Sequence, residues 1–177
     1  LRGAVSLKEF YSGPEDIQFE MTEYRNIPQA VFWQLQAEEI ENMAGICVFL
    51  GSLGTVQAIS VADCVELINS AMGLDLTEEE LMLAARRSYN LEKAFNTIHA
   101  NFKREDDYPP ERYMQEPVLA GPYEGHRCDK ERWDEMLDIF YDLQGWEKET
   151  GLQTKKCLVD LGLEDVAGWF RNHGNCP

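Results

Sequence analysis

Residues 60 to 102 read SVADCVELINSAMGLDLTEEELMLAARRSYNLEKAFNTIHANF, and this stretch decides the fold class. Ser60 with Asp63, and Thr77 with Glu80, are capping-box patterns, in which a hydroxyl accepts the amide three residues on while the carboxylate reaches back. Behind the first cap, Val61, Val65, Ile68 and Met72 recur at helical spacing, and Gly73 stops the helix. Behind the second, Leu81, Ala84, Ala85, Leu91, Phe95, Ile98 and Phe102 predict one helix of about seven turns with that stripe facing a core. No run alternates with period two between hairpin turns, so strands are not expected.

The same reading extends in both directions. Upstream, Asn26 is placed as an N-cap and Pro28 in the first turn of a helix whose apolar face is Val31, Phe32, Leu35, Ile40 and Met43, ending before Gly45. The following AGICVFLGSLGT (44–55) carries Gly45, Gly51 and Gly54 and reads as a short apolar piece between permissive turns. Downstream, Asp129 caps a helix that turns Trp133, Met136, Leu137, Phe140 and Leu143 inward and closes at Gly145. Two short helices follow, over 154–161 with Gly162 at the end and over 164–170, and the four tryptophans are assigned to packing. Residues 103–128 hold four of the seven prolines and no periodicity, which predicts a long connection and a candidate boundary between sub-lobes 1–102 and 129–177. The expected architecture is all-α, an irregular multi-helix domain over 1–177 with a long proline-rich connection.

Composition narrows the function classes. At 177 residues the chain has the size of one domain, and its 44% hydrophobic and 27% charged residues exclude global disorder. Sixteen Lys and Arg against 32 Asp and Glu leave a net charge of −16, which repels a phosphate backbone and an anionic bilayer; neither nucleic acid nor membrane is expected as a partner. No apolar run has the length of a span, and the start, LRGAVSLKEF, has neither a Met nor a signal-type apolar core, so the chain is expected to be part of a longer polypeptide. Five cysteines, an odd number at uneven spacing with no C-x-x-C, place it in a reducing, cytoplasmic setting.

Few local constellations propose chemistry. Cys47 lies where a helix gives way to a glycine turn, and two readings stand side by side: a thiol beside exposed amides that suit a cluster sulfur or a phosphate, or a structural cysteine buried between Ile46 and Val48. Glu105, Asp106 and Asp107 bring oxygen ligands together for a hard cation, but without the glycine and alternating ligands of a calcium loop a solvated loop explains them better. His126 and Cys128 have no second ligand pair, and neither His99 nor His173 stands beside a nucleophile.

The order of several motifs is more informative. N-x-x-G-I-C-x-F at Asn42 to Phe49 resembles the D-x-x-G-L-C loop of the tungsten-containing aldehyde ferredoxin oxidoreductase family. INSAMGLDLTEEEL (68–81) resembles that family's N-x-x-T-G-x-x-x-T-x-E-E-L, and YNLEKAFN (89–96) its N-L-x-R-A-F-N helix. REDDYPPER (104–112) is similar to R-x-D-D-x-L-P-x-R, and residues 141–167 are similar to the Y-Y-x-x-x-G-W-x-x-x-T-G-x-P-T ending with its L-G-L-x-x-V-A close. All keep the family's order.

The resemblance implies the helical C-terminal domain of a longer enzyme that oxidises an aldehyde to a carboxylic acid at tungsten, or molybdenum, held by two pterins, with electrons passing through a [4Fe-4S] cluster to ferredoxin. It implies Cys47 as the last cluster ligand and Asn42, Gly45, Ile46 and Val48 as a pterin-contact loop, with Arg2 at a basic pterin-contact place. The C-x-x-C-x-x-x-C triplet and the other pterin loop belong, by the same resemblance, to a preceding domain, so both cofactors require upstream parts of the polypeptide. Asn42 stands where the family usually has Asp, Gln153 replaces a Pro, and Ile98-His99-Ala100 replaces R-E-G, departures that mark a divergent branch. The competing reading is a non-enzymatic, acidic, all-helical interaction module.

Overall fold

The computed structural model of the chain describes residues 24–47, 49 and 59–173, together with an antiparallel pairing of β1 (Val5–Ser6) and β2 (Gln18–Phe19) that sets Val5 opposite Phe19. This minimal ladder departs from the expected absence of strands. The fold is otherwise all-α, as the periodicity predicts. The described helices are α1 (Ile27–Ala44), α2 (Val61–Met72), α3 (Glu78–Ala100), α4 (Glu111–Gln115), α5 (Lys130–Gln144), α6 (Lys155–Asp160) and α7 (Glu164–His173).

Helix starts follow their caps. Ser60 Oγ accepts the Asp63 amide at 3.1 Å while Asp63 accepts the Ser60 amide at 2.8 Å, and Thr77 and Glu80 repeat the exchange at 3.2 and 2.9 Å. Asp129 and Thr154 likewise accept the Arg132 and Cys157 amides. Asn26 is the exception: its φ of 63° is left-handed and its side chain does not cap α1, which begins on the fixed φ of Pro28.

Among the described residues two apolar clusters form the core, and α3 belongs to both. Ala30, Trp33, Ala37 and Ile40 of α1 pack with Val61 and Cys64 of α2 and with Leu81, Met82 and Ala85 of α3. Farther along α3, Ala94 joins Leu137 and Tyr141 of α5, Trp146, Leu158, Leu161 and Phe170. The face that α3 turns inward differs from the expected stripe. Leu91 and Phe95 are 45% and 61% exposed, while Asn90, Lys93 and Thr97 are buried in their place, because those polar groups have partners waiting across the interface. Asn90 Oδ1 accepts from Trp146 Nε1 at 2.9 Å and from Gln153 Nε2 at 2.7 Å; Lys93 Nζ lies 4.8 Å from the Trp146 ring and 3.7 Å from Asp107. The helix also stops at Ala100, short of the predicted Phe102, where Asn101 turns left-handed at φ 53°. On α1, Val31 and Met43 are likewise exposed, since the buried edge runs through Ala30, Trp33, Ala37 and Ile40.

The proline-rich connection is structured where it meets α5. Arg104, in a 3-10 turn (Arg104–Asp107), donates to Asp138 at 2.6 Å, to Asp134 at 3.0 Å and to the Lys148 carbonyl at 2.7 Å. Gly151 (φ 68°) closes the turn above it, and a Cβ there would stand 2.8 Å from the Tyr141 hydroxyl and 3.0 Å from the Arg104 nitrogen, so only glycine fits.

Replacing Asn90 by Ala is expected to lower stability by about 3 kcal/mol, because Trp146 Nε1–H and one Gln153 N–H lose their acceptor in a dry place. Phe95→Ala is expected to change it by no more than about 0.5 kcal/mol. Urea unfolding of the two variants checks this, and a larger loss from Phe95→Ala would overturn the assignment of the buried face.

Asp134 carries a pH-dependent share of the stability. The hydrogen bond from Tyr108, opposed by burial and helped by Arg104 and Lys130, holds its carboxyl down at about 2. The unfolded group titrates near ~3.9, so this share is fully present above about pH 4 and is lost as pH falls toward about 2. Asp134→Asn should therefore flatten the loss of stability over that window in acid titrations monitored by circular dichroism; an unchanged slope would show the contribution to be absent.

Candidate functional site

The end of α1 gathers most of the residues singled out by the motif. Gly45 at φ 69° directs its N–H to the Asn42 carbonyl at 3.3 Å, and Ile46 N–H reaches back to the Glu41 carbonyl at 2.9 Å, the two bonds of a Schellman turn. Among the described residues nothing lies within 4 Å of a Cβ built on Gly45, so its positive φ calls for glycine. The expected exposed amides are corrected here: those of Gly45 and Ile46 are engaged in closing the helix. The motif side chains exposed at this turn are those of Asn42 and Cys47.

Ile46 is half-buried and packs on the first core with Ile59, Val65 and Ile68, which fixes where the chain leaves the helix. The next residue, Cys47, is exposed, so the reading of it as a buried structural cysteine fails. Phe49 is 80% exposed. Val48 and Arg2, and the stretch 50–58, lie outside the described residues. Asn42, Gly45, Ile46 and Cys47 thus share one turn of chain at one helix end.

The other thiols are differently placed. Cys64 and Cys157 are buried, and burial pushes both thiols up, with Glu41 and Asp63 adding to the rise at Cys64, so both are neutral at pH 7. Cys157 Sγ also donates to the Gln144 carbonyl at 3.1 Å. Sequence reasoning missed two acidic residues of α1: Glu39 and Glu41 are only 5% and 4% exposed. Asn42 Nδ2 donates to Glu39 Oε1 at 3.4 Å. No sequence signal singles out Glu39, because its burial follows from the packing of α1 against α2, α3 and α5.

The remaining constellations disperse. Glu105 pairs with Lys103, Asp106 accepts the Lys103 amide, and Asp107 accepts the Tyr141 hydroxyl, so the acidic triplet does not converge on a cation. His126 lies edge-on to Tyr123, and among the described residues no group of three or more His, Cys, Asp or Glu could hold a metal ion. Cys47 suits a soft metal such as iron by donor chemistry and exposure, but as a single ligand. A groove of about 420 Å³ lies between Tyr24, Ile27, Tyr113, Val118, Tyr123 and Met136. It abuts the opposite end of α1, which at 18 residues is about 27 Å from the Cys47 turn, too far to share a site. No described helix is long and apolar enough to cross a membrane.

Comparison with known proteins identifies the family. The family model described as aldehyde ferredoxin oxidoreductase, domains 2 and 3, matches residues 1–163. The tungsten-containing aldehyde ferredoxin oxidoreductase of Pyrococcus furiosus is 30% identical over 174 residues, covering 93% of this chain and 26% of that protein. The protein of the same name from Thermococcus kodakarensis is 26% identical over 171 residues with the same coverage, 93% and 26%. Among solved structures, the active site complex BamBC of benzoyl coenzyme A reductase with 1,5-dienoyl-CoA superposes with a TM-score of 0.72 at 28% identity, covering 94% of this chain and 23% of that one. The chain spans about a quarter of the length of the curated relatives it matches. The family match covers most of the chain and the fold is helical, and the chain belongs to the aldehyde ferredoxin oxidoreductase family, in the region described as domains 2 and 3.

Proposed function

We propose that this chain is the helical C-terminal domain of a tungsten- or molybdenum-pterin oxidoreductase that oxidises an aldehyde to its carboxylic acid in the reducing cytoplasm and passes electrons through a [4Fe-4S] cluster to ferredoxin. The observation that carries the reading is the exposed Cys47, held one residue beyond the Schellman turn of α1 within the matched region. The metal-pterin supplies the two-electron oxidation when bound, and the cluster supplies one-electron relay. Cys47 gives a thiolate as the cluster's last ligand, with the other ligands and the second pterin loop on upstream parts of the polypeptide.

The chain's own work is positioning. The packed Ile46 sets the direction of Cys47, and Asn42 offers an amide oxygen to a pterin N–H. Gly45 keeps the turn free of a side chain, while Val48 and Arg2 complete the proposed pterin contact. The non-enzymatic module leaves a match over residues 1–163 unexplained. A second reading of the reaction, favoured by the likeness to the benzoyl coenzyme A reductase complex, is low-potential reduction of an aromatic coenzyme A thioester at the same cofactors.

In the full-length polypeptide, Cys47→Ser is expected to abolish the reduced-cluster EPR signal together with turnover, while Cys128→Ser retains both. A normal signal in the Cys47→Ser enzyme would refute the ligand assignment. Steady-state assays with an aldehyde and with an aromatic coenzyme A thioester as alternative substrates separate the two reactions.

A further inference from the structure

We infer that Glu39 is a positioning residue for the cofactor-facing amide of Asn42: a buried carboxylate, one helical turn back, holds the Asn42 N–H₂ group inward and leaves Oδ1 outward as a fixed acceptor. The inference rests on the proposed pterin contact of Asn42 and adds to it a residue that no motif includes.

The geometry has three parts. Glu39 is 5% exposed, whereas Asn42 is exposed, so the pair bridges the core and the outer face of the helix end. Asn42 Nδ2 donates to Glu39 Oε1 at 3.4 Å, and a carboxylate, which only accepts, cannot take the amide the other way round. The main chain of Asn42 is held as well, since its carbonyl accepts the Gly45 amide in the turn. The side-chain amide is thereby held at its nitrogen, on a main chain that the turn itself fixes, while its Oδ1 has no partner among the described residues. A hydrogen bond donated to a charged carboxylate also polarises the amide and makes its oxygen a stronger acceptor, so Glu39 supplies from behind the negative charge that Asn42 itself lacks. Glu39 faces Glu92 and Tyr89 of α3 too; burial first, and then neighbouring charges including Glu39, pushes both of those groups up.

This arrangement predicts a sign. An Asp at position 42 would put two carboxylates one turn apart, which is unfavourable, whereas with Gln at position 39 the same Asp finds a donor. Asn42 and Glu39 should therefore be energetically coupled, which a role for Glu39 in packing alone does not require.

The test is a two-by-two set in the full-length, cofactor-loaded enzyme: Glu39→Gln, Asn42→Asp and the double variant, with Glu39→Met to remove the charge and the acceptor together. The readouts are tungsten and iron per chain after gel filtration and the rate of pterin release on mild heating, followed by fluorescence, with circular dichroism to establish folding. Asn42→Asp is expected to accelerate release on the order of tenfold in the Glu39 background, and about twofold or less in the double variant, where the amide introduced by Glu39→Gln donates to the new carboxylate. Glu39→Met should accelerate release without loss of iron. Equal acceleration by Asn42→Asp in both backgrounds overturns the inference and leaves the pterin contact standing. If Asn42→Ala leaves pterin release unchanged and Cys47→Ser leaves iron unchanged, the cofactor reading falls and the inference falls with it.

Discussion

Asn90 lies midway along α3 with none of its surface exposed, and its single side-chain oxygen accepts hydrogen bonds from both Trp146 and Gln153. Its own N–H₂ returns to the Arg86 carbonyl one turn back, so the donor side is satisfied within the helix and the acceptor side faces the second cluster. The rest of the fold depends on this arrangement. Trp146 is placed against Tyr141 and the Lys93 ammonium, and Gln153 pairs with Trp146 across the short bridge that brings α6 back under α5. Because buried polar groups are costly when unpaired, the network tolerates one geometry and so specifies how α5 and α6 sit on α3. Lys93 adds to this: burial pushes its ammonium down, Asp107 opposes, and the Trp146 and Phe102 rings flank it at 4.8 and 4.9 Å.

The same helix that the second cluster needs in register also holds α1 in place, through Leu81, Met82 and Ala85. α1 in turn ends at the Schellman turn, so the position of Cys47 is set by packing about two helices away from the turn itself. Arg86 ties the two clusters further, lying 5.5 Å from the Phe32 ring of α1 while donating to the Leu143 and Gln144 carbonyls at the end of α5. The geometry of a turn supported this way is a property of the whole helical assembly, not of the local motif.

What the sequence reveals about this molecule is divided by chemistry. Ser60, Thr77, Asp129 and Thr154 announce helix starts because a cap acts within four residues, and Gly73 and Gly145 announce ends for the same reason. The face of α3 is another matter. Leu91 and Phe95 have the right spacing and the right hydrophobicity, yet Asn90, Lys93 and Thr97 are the ones buried, and the burial of Asn90 is decided by partners 56 to 63 residues away at Trp146 and Gln153. Periodicity has no access to such pairs. Gln153 stands where the resembling motif has a proline, and in the structure it donates to Asn90 twice, so that departure is absorbed as a bond in the core. At the candidate site, Cys47 and Asn42 are legible from their motif, while Glu39 is not, since a glutamate on a helix ordinarily faces water and only the packing of α1 against its neighbours shows otherwise.

The excursion between α4 and α5 illustrates how such a framework accommodates change. The Cys128 amide donates to the Tyr113 carbonyl at 2.9 Å, so the chain leaves and returns at adjacent points, and within it Val118 and His126 are joined in the same way. Leu119 is 87% exposed at its outer part. For a loop whose ends are already pinned, doubling the length costs only about 0.6 kcal/mol of closure entropy. Insertions or deletions here therefore leave both clusters intact while reshaping the aromatic groove beneath, through Val118 and Tyr123. Such a segment can be lengthened almost independently of the core, and the surface it reshapes lies at the end of α1 away from Cys47.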